Sequence, residues 1–210
     1  LMLVRRLCMT LAIVTATTVL LGHSTPIASQ ETPLPEQFIG ELIEKAIKVL
    51  ELPVEARSER EEGFRALLNQ NFDMPAIVRI VLGRHWRTAT PGQKSKFSHV
   101  FRTHLIQVYT SQLGAYGGEI IQIEKSAQLS KKDTVIYTLI LRKEEDPLRV
   151  DWRVRETKRG LKVIDVAAEG VSMLTTKRSE FTSLVAREGV DALIGRLEDM
   201  NVKNQEAAES

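Results

Sequence analysis

The stretch Leu148–Arg155 constrains the fold more than any other part of the chain. Leu148, Val150, Trp152 and Val154 alternate with Arg149, Asp151, Arg153 and Arg155. Successive side chains of a strand point to opposite faces, so this period of two predicts a strand with one buried and one solvated face. Such a strand needs neighbours. Val135, Tyr137, Leu139 and Leu141 alternate with Ile136, Thr138 and Ile140, and the turn residues from Glu144 to Pro147 join the two stretches. Gly160 closes a hairpin into Leu161–Ala168, and Ile120–Leu129 precedes the group, which predicts a four-stranded antiparallel meander. The Val135–Leu141 strand is apolar on both faces, where a half-exposed antiparallel sheet should alternate cleanly. One face is therefore expected to be covered along its length and the other in part. Helices laid on one face of a bent sheet commonly enclose an apolar cavity. The same pattern also fits helices packed on both sides with no cavity.

On either side of the sheet the period changes to that of a helix. Ile39, Leu42, Ile43, Ala46, Ile47 and Leu50 form one stripe, and Phe64, Leu67, Leu68 and Phe72 another. Asp73 is placed to cap a short helix over Ile77, Ile80 and Val81. Thr90, Pro91 and Gln93 supply a cap, a first-turn proline and a capping-box partner for a long helix carrying Phe97, Phe101, Leu105, Val108 and Leu113. After the sheet, Phe181, Leu184 and Val185 mark one helix. Val190, Leu193, Ile194 and Leu197 mark a second, separated from the first by Gly189.

The amino-terminal segment has a different logic. Arg5 and Arg6 precede an uncharged, mostly apolar run from Leu7 to Leu21, then small and polar residues up to Ser29. This is the pattern of a secretory signal peptide, with cleavage expected after Ala28 and Ser24 as the other candidate. The expected organisation is residues 1–28 as a cleaved signal and 29–204 as a single domain, with 205–210 as a disordered tail. Within the domain, 36–115 should be helical, 118–170 sheet and 177–201 the closing helices. Of the 29 basic and 27 acidic residues, only Arg5 and Arg6 fall in the signal, so the remainder is formally neutral. That balance gives no support for a nucleic-acid partner. The single cysteine, Cys8, leaves with the signal, so the domain is expected to rely on its core alone.

The residues offer no specific catalytic constellation. His99 and His104 are five apart on a helix and do not share a face as a metal pair would. Asp151, Asp165 and Glu169 could converge, but Arg149, Arg153 and Arg155 are close enough to pair with them. The expected protein is neither an enzyme nor a metal or cofactor protein, but a binding or carrier domain.

Two groups of residues resemble a known family. Phe72-Asp73, the run Leu82-Gly83-Arg84-His85-Trp86-Arg87-Thr88-Ala89-Thr90, and then Phe97, Phe101, Leu105 and Tyr109 resemble the helical half of the MlaC, or toluene-tolerance Ttg2, family. Asp165-Val166, Glu169-Gly170-Val171-Ser172, the run Thr175–Phe181 and Gly189–Ile194 are similar to its carboxy-terminal signature. The likeness runs from about residue 36 to 201, and departs from the family at His85, where an aromatic such as tyrosine is more usual.

The resemblance implies an α+β fold of the NTF2-like class, with a four-stranded antiparallel sheet covered by amino- and carboxy-terminal helices around an apolar lipid cavity. It implies a periplasmic carrier whose cargo is a bound glycerophospholipid. Its partners would be an outer-membrane lipoprotein–porin complex (MlaA-like) and an inner-membrane ABC transporter with an MCE-domain protein (MlaD-like). A related branch is associated with hopanoids; a small-molecule binding protein and an NTF2-like enzyme are the other readings. On the carrier reading, the acyl chains lie against Leu148, Val150, Trp152 and Val154, with Val135, Tyr137, Leu139 and Leu141 beside them. Phe101, Leu105 and Tyr109 form the helical wall.

Overall fold

Three of the described helices begin where a side chain accepts from one of their first free N–H groups. The computed structural model describes residues 34–53, 55–112, 117–143 and 145–209; the predicted signal and Leu113 lie outside them. In chain order the elements are α1 (Pro35–Leu50), α2 (Arg57–Asn71), α3 (Met74–Leu82), α4 (His85–Thr88), α5 (Pro91–Gln112), β1 (Ile120–Gln128), β2 (Asp133–Leu141), β3 (Leu148–Thr157), β4 (Gly160–Ala168), β5 (Val171–Ser172), α6 (Met173–Glu188) and α7 (Val190–Glu209). Asp73 Oδ1 accepts from Ala76 N–H at the start of α3. Before α5, Gln93 N–H donates to Thr90 Oγ1 (3.2 Å) and Thr90 N–H to Gln93 Oε1 (3.0 Å), a reciprocal capping box. Ser172 Oγ accepts from Thr175 N–H at the start of α6. The last helix runs through the predicted tail to Glu209.

The strands form one antiparallel sheet in the order β1-β2-β3-β4-β5. The fifth strand adds to the four expected. Glu169 and Gly170 both take positive φ (49° and 78°), which makes the tight turn that folds Val171 and Ser172 back onto β4. A second difference concerns Phe72. Its place on a helical stripe predicts the end of α2, yet its backbone is extended and bridges Val163 of β4. Asp73 N–H donates to the Val163 carbonyl (3.0 Å), so the α2–α3 joint is stitched to the sheet.

Two cores result. One is helical: Met74, Val78 and Leu82 of α3, Phe97 and Phe101 of α5, Phe181 and Val185 of α6, and Leu193 and Ile194 of α7. The other lies between the sheet and α1–α2, built from Ile39, Leu42, Phe64, Leu67, Ile136, Val154, Leu161 and Val163. Phe72 packs against both.

Directly opposed residues share a face, so the register assigns the two faces of the sheet. Ile136 opposes Trp152, Thr138 opposes Val150 and Ile140 opposes Leu148; these define the inner face, which meets α1 and α2. Asp133 opposes Arg155, Val135 opposes Arg153, Tyr137 opposes Asp151 and Leu139 opposes Arg149 on the outer face. Asp133, 3% exposed, receives both Arg153 and Arg155. The Arg155 hydrogen bonds outweigh the cost of burial and, with Arg153, hold the carboxyl down at about 2, below its ordinary 3.8. The stabilisation is therefore fully present above about pH 4 and is lost as pH falls through about 2. Both arginines are a third or more exposed, which screens the pairing. Asp133→Asn should cost about 1–2 kcal/mol at neutral pH, and the gap from wild type should close towards pH 2, as read by urea denaturation at the two pH values.

Candidate functional site

The inner face of β3 carries its four expected residues at graded depth. Val154, 1% exposed, is sealed under α1 and α2, and Trp152 packs partly against the same core. Val150 is buried further along, and Leu148, at the start of the strand, is half-buried. Thr138, fully buried, sits among them. Its hydroxyl donates to the Val150 carbonyl (2.7 Å) and accepts from Trp152 Nε1 (3.1 Å), so an interior polar group is fully engaged. Beyond this point Ile140, Leu148 and Ala168, all half-buried, continue the apolar face.

A second set of half-buried apolar residues lies on the carboxy-terminal half of α5. The helices that pack most closely on the sheet are α1, α2, α3 and α6, whereas α5 packs on α2, α3 and α7. Leu105, Val108 and Tyr109 of α5 are left half-buried. Burial first and the Asp165 carboxylate second push the Tyr109 hydroxyl above the usual tyrosine range. Leu105 also lies against the helical core.

Two groups of predicted residues sit elsewhere. Phe101, 1% exposed, is stacked on Phe97 (5.6 Å between centroids) and edge-on to Phe181 (5.5 Å), inside the helical core and away from the sheet. Val135, Tyr137, Leu139 and Leu141 are on the outer face, back to back with the β3 residues they were expected to join. There the aliphatic stems of the charged side chains cover them in part. Lys125 Nζ lies 5.1 Å and Arg149 Cζ 4.9 Å from the Tyr137 ring centroid. The inner-face residues of β2 that sequence reasoning passed over are Ile136, Thr138 and Ile140. The hydrogen bonds of Thr138 let that face turn inward despite its hydroxyl.

The three candidate carboxylates do not converge on a free site. Asp151 pairs with Arg149 (2.9 Å), Asp165 accepts from Ser172 Oγ and Leu174 N–H, and Glu169 accepts from Arg149 N–H. A solvent-open recess at the opposite end of the sheet is lined by Lys131, Lys132, Arg155 and their neighbours.

Fold and site together define a class: α+β domains whose antiparallel sheet turns one apolar face to helices and the other, charged, to solvent. A family model described as "MlaC protein" matches residues 41–199, and the chain belongs to the MlaC family. It is 26% identical over 122 residues to the intermembrane phospholipid transport system binding protein MlaC of Haemophilus influenzae, a match spanning 56% of this chain and 57% of that relative. Its fold is similar to that of a phospholipid-binding protein from Ralstonia solanacearum solved in complex with a phospholipid. The TM-score is 0.70, the identity 21%, and the match covers 80% of this chain and 97% of that one.

The residues of the family signature are mostly structural. Glu169-Gly170 makes the β4–β5 turn, Ser172 caps α6, Asp165 anchors that cap, and Phe181 completes the aromatic trio. Phe101→Ala should therefore destabilise the fold by about 3–5 kcal/mol, measured by urea unfolding, because it empties a packed core position.

Proposed function

We propose that the protein carries one phospholipid, with its acyl chains between the inner sheet face and the carboxy-terminal half of α5. One observation supports this most. Ile140, Leu148 and Ala168 on one side and Leu105 and Tyr109 on the other are apolar, half-buried and set on elements that do not pack closely together. The likeness in fold to a protein solved with a phospholipid, and the name of the Haemophilus influenzae relative, support the same reading.

The energetics need no bond chemistry. Burying a methylene gains about 0.8 kcal/mol, so a diacyl lipid with roughly 30 methylenes gains on the order of 20 kcal/mol over water. A bilayer offers the lipid as much, so the direction of transfer comes from the partners. The cargo site is lined by hydrocarbon and its polar groups, such as Thr138, are engaged within the protein. The headgroup accordingly stays near the solvent, which favours tolerance of headgroup type. The carrier works in the periplasm of a Gram-negative envelope. It exchanges lipid with an outer-membrane lipoprotein–porin complex and an inner-membrane ABC transporter bearing an MCE-domain protein, and so serves the lipid asymmetry of the outer membrane.

The two faces of the sheet supply a paired test. Leu148→Glu places a charge on the inner face and Leu139→Glu places one on the outer face, both at half-buried sites. With fluorescent phosphatidylcholine offered from phosphatidylcholine vesicles, Leu148→Glu should lose loading about tenfold or more, and Leu139→Glu should load like wild type. Equal loading by both folded variants would contradict this placement of the cargo.

A further inference from the structure

Two hairpin turns meet at the end of the sheet opposite to Ile140 and Leu148. Residues 129–132 join β1 to β2, and residues 158–159 join β3 to β4. Glu156 N–H donates to the Lys132 carbonyl (2.8 Å), so the two tips are stitched together. A solvent-open recess runs between them, lined by residues of both, among them Lys131, Lys132, Arg155 and Thr157. The first tip is firmly shaped. Leu129 N–H and Ser130 N–H both donate to the Asp133 carbonyl (2.8 and 3.1 Å), and Ser130 Oγ accepts from Asp133 N–H (3.1 Å). That turn leaves Leu129 57% exposed, although an aliphatic side chain gains nothing from water.

The charge at this end is unbalanced, in a chain that is formally neutral beyond its predicted signal. Three of the nearby carboxylates are engaged: Asp133 by Arg153 and Arg155, Asp73 by Arg159 (3.4 Å), and Glu36 by the Ser126 hydroxyl. Glu156 is exposed and offsets one cation, and Lys162 is turned to the Gln70 carbonyl. Lys131, Lys132 and Lys158 are exposed and form no ion pair among the described residues. Ammonium groups on two joined tips, with one exposed leucine, make a small amphipathic surface. The leucine suits the acyl boundary of a bilayer, and flexible lysine stems let the ammonium groups reach lipid phosphates. A single leucine offers too little apolar area for the core of a protein–protein contact. We propose that the β1–β2 and β3–β4 tips dock the protein on an anionic phospholipid surface, with Leu129 at the acyl boundary and Lys131, Lys132 and Lys158 on headgroup phosphates. The surface lies at the other end of the sheet from the cargo gap and does not rest on the carrier reading.

Sedimentation with sucrose-loaded vesicles tests this. In about 0.1 M salt the protein should bind vesicles of phosphatidylglycerol and phosphatidylcholine, mixed equally, at least about fivefold more tightly than phosphatidylcholine vesicles, and the difference should vanish at about 1 M salt. Lys131→Glu with Lys132→Glu should weaken binding to the mixed vesicles about tenfold or more. Lys143→Glu with Lys203→Glu makes the same change in net charge away from the tips and should bind within about threefold of wild type. Leu129→Ser should weaken binding severalfold without changing its salt dependence. All these side chains are exposed, and unchanged circular dichroism checks that each variant is folded. Equal binding to both kinds of vesicle overturns the proposal, as does wild-type binding by the Lys131→Glu, Lys132→Glu variant or by Leu129→Ser. Binding to neither vesicle also overturns it and points to an acidic protein surface as the occupant. Leu148→Glu, expected above to lose cargo, should sediment like wild type, so a failure of docking and a failure of the carrier reading are told apart.

Discussion

The pleat of β3 decides what each surface of this protein can do. Arg149, Asp151, Arg153 and Arg155 cannot enter an apolar interior unpaired. Antiparallel pairing puts directly opposed residues on one face, so β3 also chooses the orientation of β2. The outer residues of β2 then survive in water because cationic side chains lie over them. Asp133 ties two of those cations into the pleat, and the stability of that choice is linked to a carboxyl held well below its usual range. On the other side, the consequence is a long apolar face that helices must cover.

They cover it unevenly. The bond from Asp73 N–H to the Val163 carbonyl, with Phe72 packed into both cores, fixes the helical half at the β4 side of the sheet. From that anchor α1 and α2 reach the end of the inner face near Ile136 and Val154. The long helix α5 is held by α3 and α7 and by the aromatic trio at its amino-terminal half. α5 is not packed closely on the sheet.

The helix–sheet–helix order, the caps at Asp73 and Thr90, and the alternation of β3 were legible from local pattern, because each is set within a few residues. The face of β2 was not. A strand apolar at every second position in both phases carries no period of its own, and its orientation comes from pairing with Arg149 and Arg153 across the sheet. The inward turn of Thr138 depends on the Val150 carbonyl and Trp152 Nε1, partners that only the tertiary structure supplies. Phe101 was placed on its helix by the stripe, but the stripe could not say whether its ring met the sheet or Phe181. The fifth strand is two residues long and rests on the positive φ of Glu169, which no hydrophobic pattern reports.

The central proposal is that the apolar face that β3 turns inward holds lipid and does not merely build a core. The most direct measurement is organic-solvent extraction of the purified protein, followed by mass spectrometry against protein concentration. The account predicts a diacyl phospholipid at close to one per chain. An extract free of lipid, from a folded protein that also fails to take up added phospholipid, would contradict it.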